Sequence, residues 1–236
     1  MRIGITGTDT GVGKTVVASA LLAALVEDGY RVAPMKPAET GVNPGEGGDA
    51  GRLLQAARSS LGVGAVSPFR YTEPCAPLVA ADREGNPVLL DVLDRHLSAL
   101  EDAHEVVVIE GAGGLLVPYG KDLSFLSLCV HWRMPLVVVA LNRLGVLNHV
   151  LLTVEAARSA DVPVSAVMLN EGRGSIADVA SRTNAETLRR LLPGLPVITF
   201  PLIDGDAGGH PIPAVARAAV RSLLSTLNVP DGQGPP

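Results

Sequence analysis

Lysine, threonine and carboxylate side chains next to clustered glycines are the raw material of phosphate chemistry, and this chain offers them from its seventh residue onward. Lys14 and Thr15 close the run Gly7-Thr8-Asp9-Thr10-Gly11-Val12-Gly13-Lys14-Thr15, which follows the apolar Ile3-Gly4-Ile5 and precedes a helical pattern from Val16 to Leu25. Strand, glycine-rich turn, Gly-Lys-Thr and helix form the layout of a phosphate-binding loop. Small residues let backbone N–H groups curl around phosphate oxygens, and the new helix aims its positive end at the same charge. Lys14 then reaches the β- and γ-phosphates, and the Thr15 hydroxyl ligates Mg²⁺. The spacing is a variant. The usual pattern puts its first glycine at position 8, where Thr8 stands; Gly7 lies one residue earlier, giving Gly-x5-Gly-Lys-Thr.

Three further charged residues fit the same chemistry. Lys36 opens Lys36-Pro37-Ala38-Glu39-Thr40-Gly41, at the end of a short apolar stretch. Asp49 precedes the helical pattern of residues 50–57, where a carboxylate serves either as a helix cap or as a metal ligand. Glu110 ends the buried-strand run Glu105-Val106-Val107-Val108-Ile109 and begins Glu110-Gly111-Ala112-Gly113-Gly114. A carboxylate there is where nucleotide hydrolases hold Mg²⁺, and the glycines let backbone approach a ligand; the alternative is a structural turn. Thr15, Asp49 and Glu110 would supply hard oxygen ligands for Mg²⁺, and Lys14 with Lys36 would place two positive charges around a γ-phosphate. No Ser-His-Asp or Cys-His arrangement stands out, so covalent catalysis is not indicated.

The elements that must position these residues alternate along the chain. Arg31 to Met35 reads as a second strand, with Pro34 making it an edge or terminal piece rather than a central one. Residues 42–48 are flexible by composition and suit a mobile lid. Residues 61–87 read as irregular, punctuated by Pro68, Pro74, Pro77 and Pro87, and Leu89 to Leu100 as an amphipathic helix. His96 and His104, among charged neighbours, read as solvated. Strands follow at Leu136 to Ala140, Val164 to Leu169 and Leu195 to Phe200, with helices from about Asn148 to Ser159, Ile176 to Leu192 and Pro211 to Leu227. This alternation predicts one doubly wound α/β domain over 1–228 with a mostly parallel sheet of P-loop NTPase type, and a disordered tail over 229–236. Four strand ends then bring polar groups to one sheet edge: the Lys14 loop, Lys36 to Thr40, Glu110 to Gly114, and Asn142 to Asn148. In open α/β sheets ligands bind at that edge.

Composition narrows the partners. The 236 residues are 47% hydrophobic but only 3% aromatic, which favours helices packed on a parallel sheet over an all-β sandwich. A net charge of −5 without a basic cluster argues against nucleic-acid binding. The run Pro135 to Leu141 is far below membrane-spanning length, and Met1 to Ile5 is too short for a signal segment. Cys75 and Cys129 lack metal or disulfide spacing and read as small core residues in a reducing compartment. A cytoplasmic protein is expected.

These motifs together resemble the dethiobiotin synthetases, ATP-dependent ring-closing enzymes of biotin synthesis. The resemblance rests on residues 7–15, on Lys36-Pro37 with Thr40-Gly41, on Glu110 to Gly114, and on Leu144-Gly145-Val146-Leu147-Asn148-His149, and it covers residues 3 to about 203. It implies 7,8-diaminononanoate, CO₂ and ATP as substrates, with Mg²⁺ as cofactor. Thr10, Gly11, Val12, Gly13, Lys14, Thr15 and Val16 would bind phosphates, and Lys36 and Lys14 would be catalytic. Glu110, Gly111, Ala112 and Gly113 would line substrate and γ-phosphate, with Thr40 at the amine or carbamate end. Asn170, Glu171, Pro201, Leu202 and Ile203 would form the adenine pocket. The resemblance also implies a homodimer in which Leu144, Gly145, Leu147 and Asn148 of one subunit hold the carboxylate of substrate bound mainly by the other.

The chain departs from family patterns at Gly11, where some members have an acidic residue, at Glu171 in place of a common Asp, and at Asn184, where some have Tyr. Two rivals share the loop. A cobyrinate-type synthetase generally adds a glutaminase domain, for which little chain remains after residue 203. A partner-regulated ATPase switch of the division-site or partitioning type usually carries an extra lysine near the loop start and often a basic terminal helix; here Thr8 and Asp9 occupy that start, and the last helix has only Arg217 and Arg221.

Overall fold

The computed structural model describes residues 1–172, 178–203, 214–227 and 229. Its main sheet has six strands: β1 (Arg2–Gly7), β2 (Val32–Met35), β5 (Val106–Gly114), β8 (Leu136–Leu141), β9 (Val164–Asn170) and β10 (Val197–Phe200). They lie in the order β10-β9-β8-β1-β5-β2, every pairing parallel. From β1 the chain goes to the edge strand β2, returns to β5 and crosses to β8, from which it continues outward to β9 and β10. Adjacent β1 and β8 thus send their connections in opposite directions, which puts the turn after β1 at the crevice in which such sheets bind ligands.

Valine-rich strands buried on both faces explain the apolar runs, and their side chains alternate between two layers. Ile3, Ile5, Val106, Val108, Val137 and Val139 pack with α1 (Lys14–Glu27) and α9 (Ala214–Thr226). Val107 and Ile109 pack on the other side against α5 (Leu90–Ala103) and α6 (Phe125–His131). Val138, Ala140, Val167 and Leu169 meet α7 (Val146–Ser159) and α8 (Val179–Leu191). Helix α1 is apolar nearly all round because it is enclosed by the sheet, α9 and α2 (Gly48–Ala56).

As expected from Pro34, β2 is an edge strand. The stretch expected to be irregular holds three short elements: α3 (Val63–Val66), β4 (Phe69–Arg70), paired with β3 (Ala38–Glu39), and α4 (Pro77–Glu84). Pro77 is the physical reason that α4 escapes a reading of proline as punctuation. It sits in the first turn of α4, where its fixed φ suits the helix and its missing N–H costs nothing. A small hairpin of β6 (Pro118–Gly120) and β7 (Leu123–Ser124) precedes α6, whose start is a reciprocal Ser124–Ser127 capping box.

Other expectations change at the ends of elements. Glu110 to Gly114 continues β5 rather than forming a turn. Helix α7 begins two residues before Asn148, after Gly145 in the left-handed region. Residues 176–177 and 211–213, expected to be helical, and all of the expected disordered tail except Val229 lie outside the described residues. Val229 itself packs against the β1–α1 core. His96 and His104 are half-buried, each with Nδ1 on a backbone carbonyl, of Ala65 and Leu100 respectively. No helix among the described residues is long and apolar enough to cross a membrane.

Candidate active site

The loop after β1 is shaped by steric demands that the sequence only hints at. A Cβ on Gly7 would lie 2.8 Å from the Asp9 carbonyl oxygen and 3.0 Å from Lys14 Nζ, so the glycine one place early is where the chain folds back on itself. Gly11 and Gly13 have φ of 74° and 96°. Asp9, without an evident role in the sequence, anchors the loop: its carbonyl accepts from Lys14 Nζ at 3.0 Å, its Oδ1 accepts from the Thr10 N–H at 2.7 Å, and its Oδ2 lies 3.8 Å from Arg143.

Lys36 leaves the end of β2 and points into a buried cluster. Its ammonium donates to Glu110 Oε1 at 2.5 Å and Asp49 Oδ2 at 2.9 Å. Thr15 Oγ1 donates to the same Glu110 oxygen at 3.0 Å. Glu110 is fully buried, and its Oε2 has no hydrogen-bond partner. Burial strongly disfavours the Lys36 ammonium, but Glu110 and Asp49 outweigh it and raise the pKa above the ordinary lysine value. Lys14 behaves oppositely: burial, aided by the charge of Lys36, lowers it to about 8 against the pull of Glu110. Asp49, although desolvated, is held below the usual carboxylate range chiefly by Lys36. The two carboxylates thus keep Lys36 in its charged form, whereas burial weakens the charged form of Lys14.

Asp49 does not cap its helix. The N-cap of α2 is Gly47, and Asp49 stands in the first turn, turned toward Lys36. The 42–48 segment, expected as a lid, is fastened at its far end by Arg70, whose Nη2 donates to the carbonyls of Glu46 at 2.7 Å and Gly47 at 3.3 Å.

These residues surround a cavity of ≈ 620 Å³. Thr10, Gly11, Gly13, Lys14, Thr15, Val16, Lys36, Thr40, Asp49, Glu110, Ala112 and Gly113, all expected from sequence, line it. Glu39, Arg52, Pro74, Cys75, Ala76, Pro77 and Val117 line it too and were missed. Glu39 sits between the flagged Lys36 and Thr40, and the proline pair flanking Cys75 marks a wall rather than a loop. Cys75 is therefore half-buried on the cavity, whereas Cys129 is fully buried in the core, where burial pushes its thiol pKa up.

Other expected residues lie elsewhere. Val12 is buried beneath the loop, and Gly111 makes its close approach to Phe125 rather than to a ligand, since a Cβ there would lie 2.7 Å from the ring. Asn170, at the end of β9, donates from Nδ2 to the Val12 carbonyl at 2.9 Å and so braces the loop from behind. Glu171 Oε1 accepts from Asn142 Nδ2 at 2.6 Å, and buried Asn184 donates to Asn142 Oδ1 at 2.9 Å and to the Arg143 carbonyl at 3.2 Å, so its amide serves the fold. Pro201, Leu202 and Ile203 follow β10, with Ile203 against the core. Leu144, Gly145, Leu147 and Asn148 stand at the start of α7, off the cavity, with Leu144 80% exposed.

A family profile described as an AAA domain matches residues 1–199. Among curated relatives, the ATP-dependent dethiobiotin synthetase BioD of Anaeromyxobacter sp. (strain Fw109-5) is 41% identical over 79% of this chain and 87% of its own length. That of Bacillus subtilis (strain 168) is 35% identical over 82% and 84%. The chain belongs to the dethiobiotin synthetase family.

Structural likeness reaches further than this family. The septum site-determining protein MinD of Pyrococcus horikoshii, solved with Mg-ADP, aligns with a TM-score of 0.58 at 14% identity, covering 97% of this chain and 96% of that one. A ParA family ATPase from Chlorobium tepidum aligns at 0.55 and 12% identity, covering 94% and 97%. At such identity the likeness establishes the P-loop ATPase fold and carries no function.

The cluster also fits the Mg²⁺ expected from the sequence. Among the described residues no three His, Cys, Asp or Glu side chains form a metal cage. Mg²⁺ does not need one, since it keeps waters and takes one or two carboxylates plus substrate phosphates. The unpartnered Oε2 of Glu110, on the carboxylate whose other oxygen accepts from Thr15 and Lys36, is a hard oxygen donor of that kind.

Proposed function

We propose that this dethiobiotin synthetase family member closes 7,8-diaminononanoate and CO₂ into the cyclic urea of dethiobiotin, converting ATP to ADP and phosphate. The observation that carries the reading is Lys36, a buried ammonium held on the cavity wall by Glu110 and Asp49 and facing the phosphate loop. One substrate amine adds to CO₂ and loses a proton to give a carbamate. A carbamate oxygen attacks the γ-phosphorus and ADP leaves, forming a carbamic–phosphoric anhydride. The second amine attacks the carbamoyl carbon, phosphate departs, and the ring closes. Two anions must meet in the middle step, and fixed positive charge at that point stabilises them without reorganisation.

In this reading Lys14 and the backbone from Thr10 to Val16 hold the phosphates, Lys36 steadies the carbamate and γ-phosphate, and Thr40 and Gly113 position the amine end. Thr15, Asp49 and Glu110 would hold Mg²⁺, which supplies charge neutralisation on the phosphates. Asn170, Glu171, Pro201, Leu202 and Ile203 would receive adenine. The chain would work as a cytoplasmic homodimer, which accords with its two free cysteines. Leu144, Gly145, Leu147 and Asn148 would receive the carboxylate of substrate bound by a second copy. The start of α7 has no side-chain cap, which leaves its N–H groups for an anion.

Phosphate release measured with ATP and Mg²⁺ is expected to require both the diamine and bicarbonate; equal release without the diamine overturns the synthetase reading. Sedimentation at micromolar concentration is expected to give a dimer, and a fully active monomer would exclude the shared carboxylate site.

A further inference from the structure

Helix α2 delivers Asp49 to the cluster, yet it has no cap of its own: Gly47 occupies the N-cap and offers no side chain. The missing acceptor comes from outside the helix. Glu39, only 3% exposed, places Oε1 on the Asp49 backbone N–H, and its Oε2 lies 3.4 Å from Arg70 Nε. The fit is tight, because Gly48 has φ of 59° and a Cβ there would fall 2.4 Å from Glu39 Oε1. Arg70 completes the brace by donating to the carbonyls of Glu46 and Gly47 in the turn that leads into the helix. Backbone pairing fixes the two ends relative to each other, since Glu39 and Arg70 are register partners in the β3–β4 pair and the Tyr71 N–H donates to the Glu39 carbonyl.

We infer that Glu39 is a positioning residue that caps α2 from the Lys36 segment and thereby sets where Asp49 stands relative to Lys36, Thr15 and Glu110. The inference rests on the reading of Asp49 as a Mg²⁺-side carboxylate and extends it to a residue that acts through the backbone. Glu39 and Lys36 share one short segment, so the cap ties the substrate-side lysine and the metal-side carboxylate into one unit. Outer partners that orient metal ligands are worth about 10–100-fold in metal affinity.

The test is Mn²⁺ binding with ADP, followed by the electron paramagnetic resonance signal of free Mn²⁺, with folding checked by circular dichroism. Glu39→Ala is expected to weaken Mn²⁺ by roughly tenfold or more. Glu39→Gln, whose amide oxygen still accepts from the Asp49 N–H, is expected to stay within about threefold of wild type on the same scale. Should the alanine variant not fold, Glu39→Asp keeps the charge near Arg70 but withdraws the oxygen by a methylene, and is expected to lose affinity as alanine would. Asp49→Asn separates the two claims. Weakened binding in Asp49→Asn with unchanged binding in folded Glu39→Ala or Glu39→Asp overturns the positioning role alone. Unchanged binding in Asp49→Asn overturns the metal-side reading and this role with it.

Discussion

Lys36→Ala is expected to lower turnover by roughly 10³-fold while leaving ATP binding measurable, because the lysine acts where charge develops rather than where the nucleotide is gripped. Its ammonium is confined by Glu110 at 2.5 Å and Asp49 at 2.9 Å, whereas in the proposed reading the phosphates are held by Lys14 and the loop backbone. The substitution also strips the fully buried Glu110 of its cation. Removing one partner of a buried pair costs about 3–5 kcal/mol, so a fall in stability accompanies the fall in rate. The two effects separate when folded Lys36→Ala is assayed well below its own melting temperature, where the loss of stability no longer lowers turnover and the loss of rate remains. The measurements are phosphate release with saturating diamine and bicarbonate, nucleotide titration, and thermal denaturation. Near-wild-type turnover in Lys36→Ala would remove Lys36 from the chemistry.

What was legible in the sequence was whatever local chemistry dictates. Val106 to Ile109 reads as a buried strand, Pro34 keeps its strand from a central place, and Gly-Lys-Thr after a strand opens a helix, as it does here at α1. The residues at those strand ends then had to share one side of the sheet, and twelve of the expected site residues, seven of them with polar side chains, line a single cavity. The hidden part depends on contacts between distant segments. Nothing near Gly47 says that its helix is capped from Glu39, ten residues before the N–H it receives. Nothing in Glu110-Gly-Ala-Gly-Gly says that Gly111 clears the ring of Phe125 while Gly113 opens on the cavity. Pro77 misled because one residue type serves both to break elements and to begin helices. Asp9 was opaque because the atom that meets Lys14 is its backbone carbonyl, which any residue would supply.

Gly13→Ala is expected to cost nucleotide affinity at least about 30-fold, the equivalent of roughly 2 kcal/mol, through two penalties that fall on the same loop. The first is conformational. Gly13 has φ of 96°, and a side chain in the left-handed region costs about 1–2 kcal/mol. The second is steric. The new Cβ would lie 2.1 Å from Asn170 Nδ2, so that buried amide must give up its 2.9 Å hydrogen bond to the Val12 carbonyl. An unsatisfied buried polar group costs about 1–3 kcal/mol more. Gly11 supplies the control, since its φ of 74° carries the same conformational penalty but a Cβ there meets nothing within 4 Å. Gly11→Ala should therefore weaken binding less than Gly13→Ala. Adding Asn170→Ala to Gly13→Ala relieves the clash but not the strain, withdraws the brace from Val12 and removes a residue assigned to adenine, so it should recover at most part of the loss. Calorimetric titration of ADP into the three variants orders them. Equal affinities for Gly11→Ala and Gly13→Ala would mean that Asn170 does not press on the loop from behind, and that the strand-end residues brace it less than the phosphate itself does.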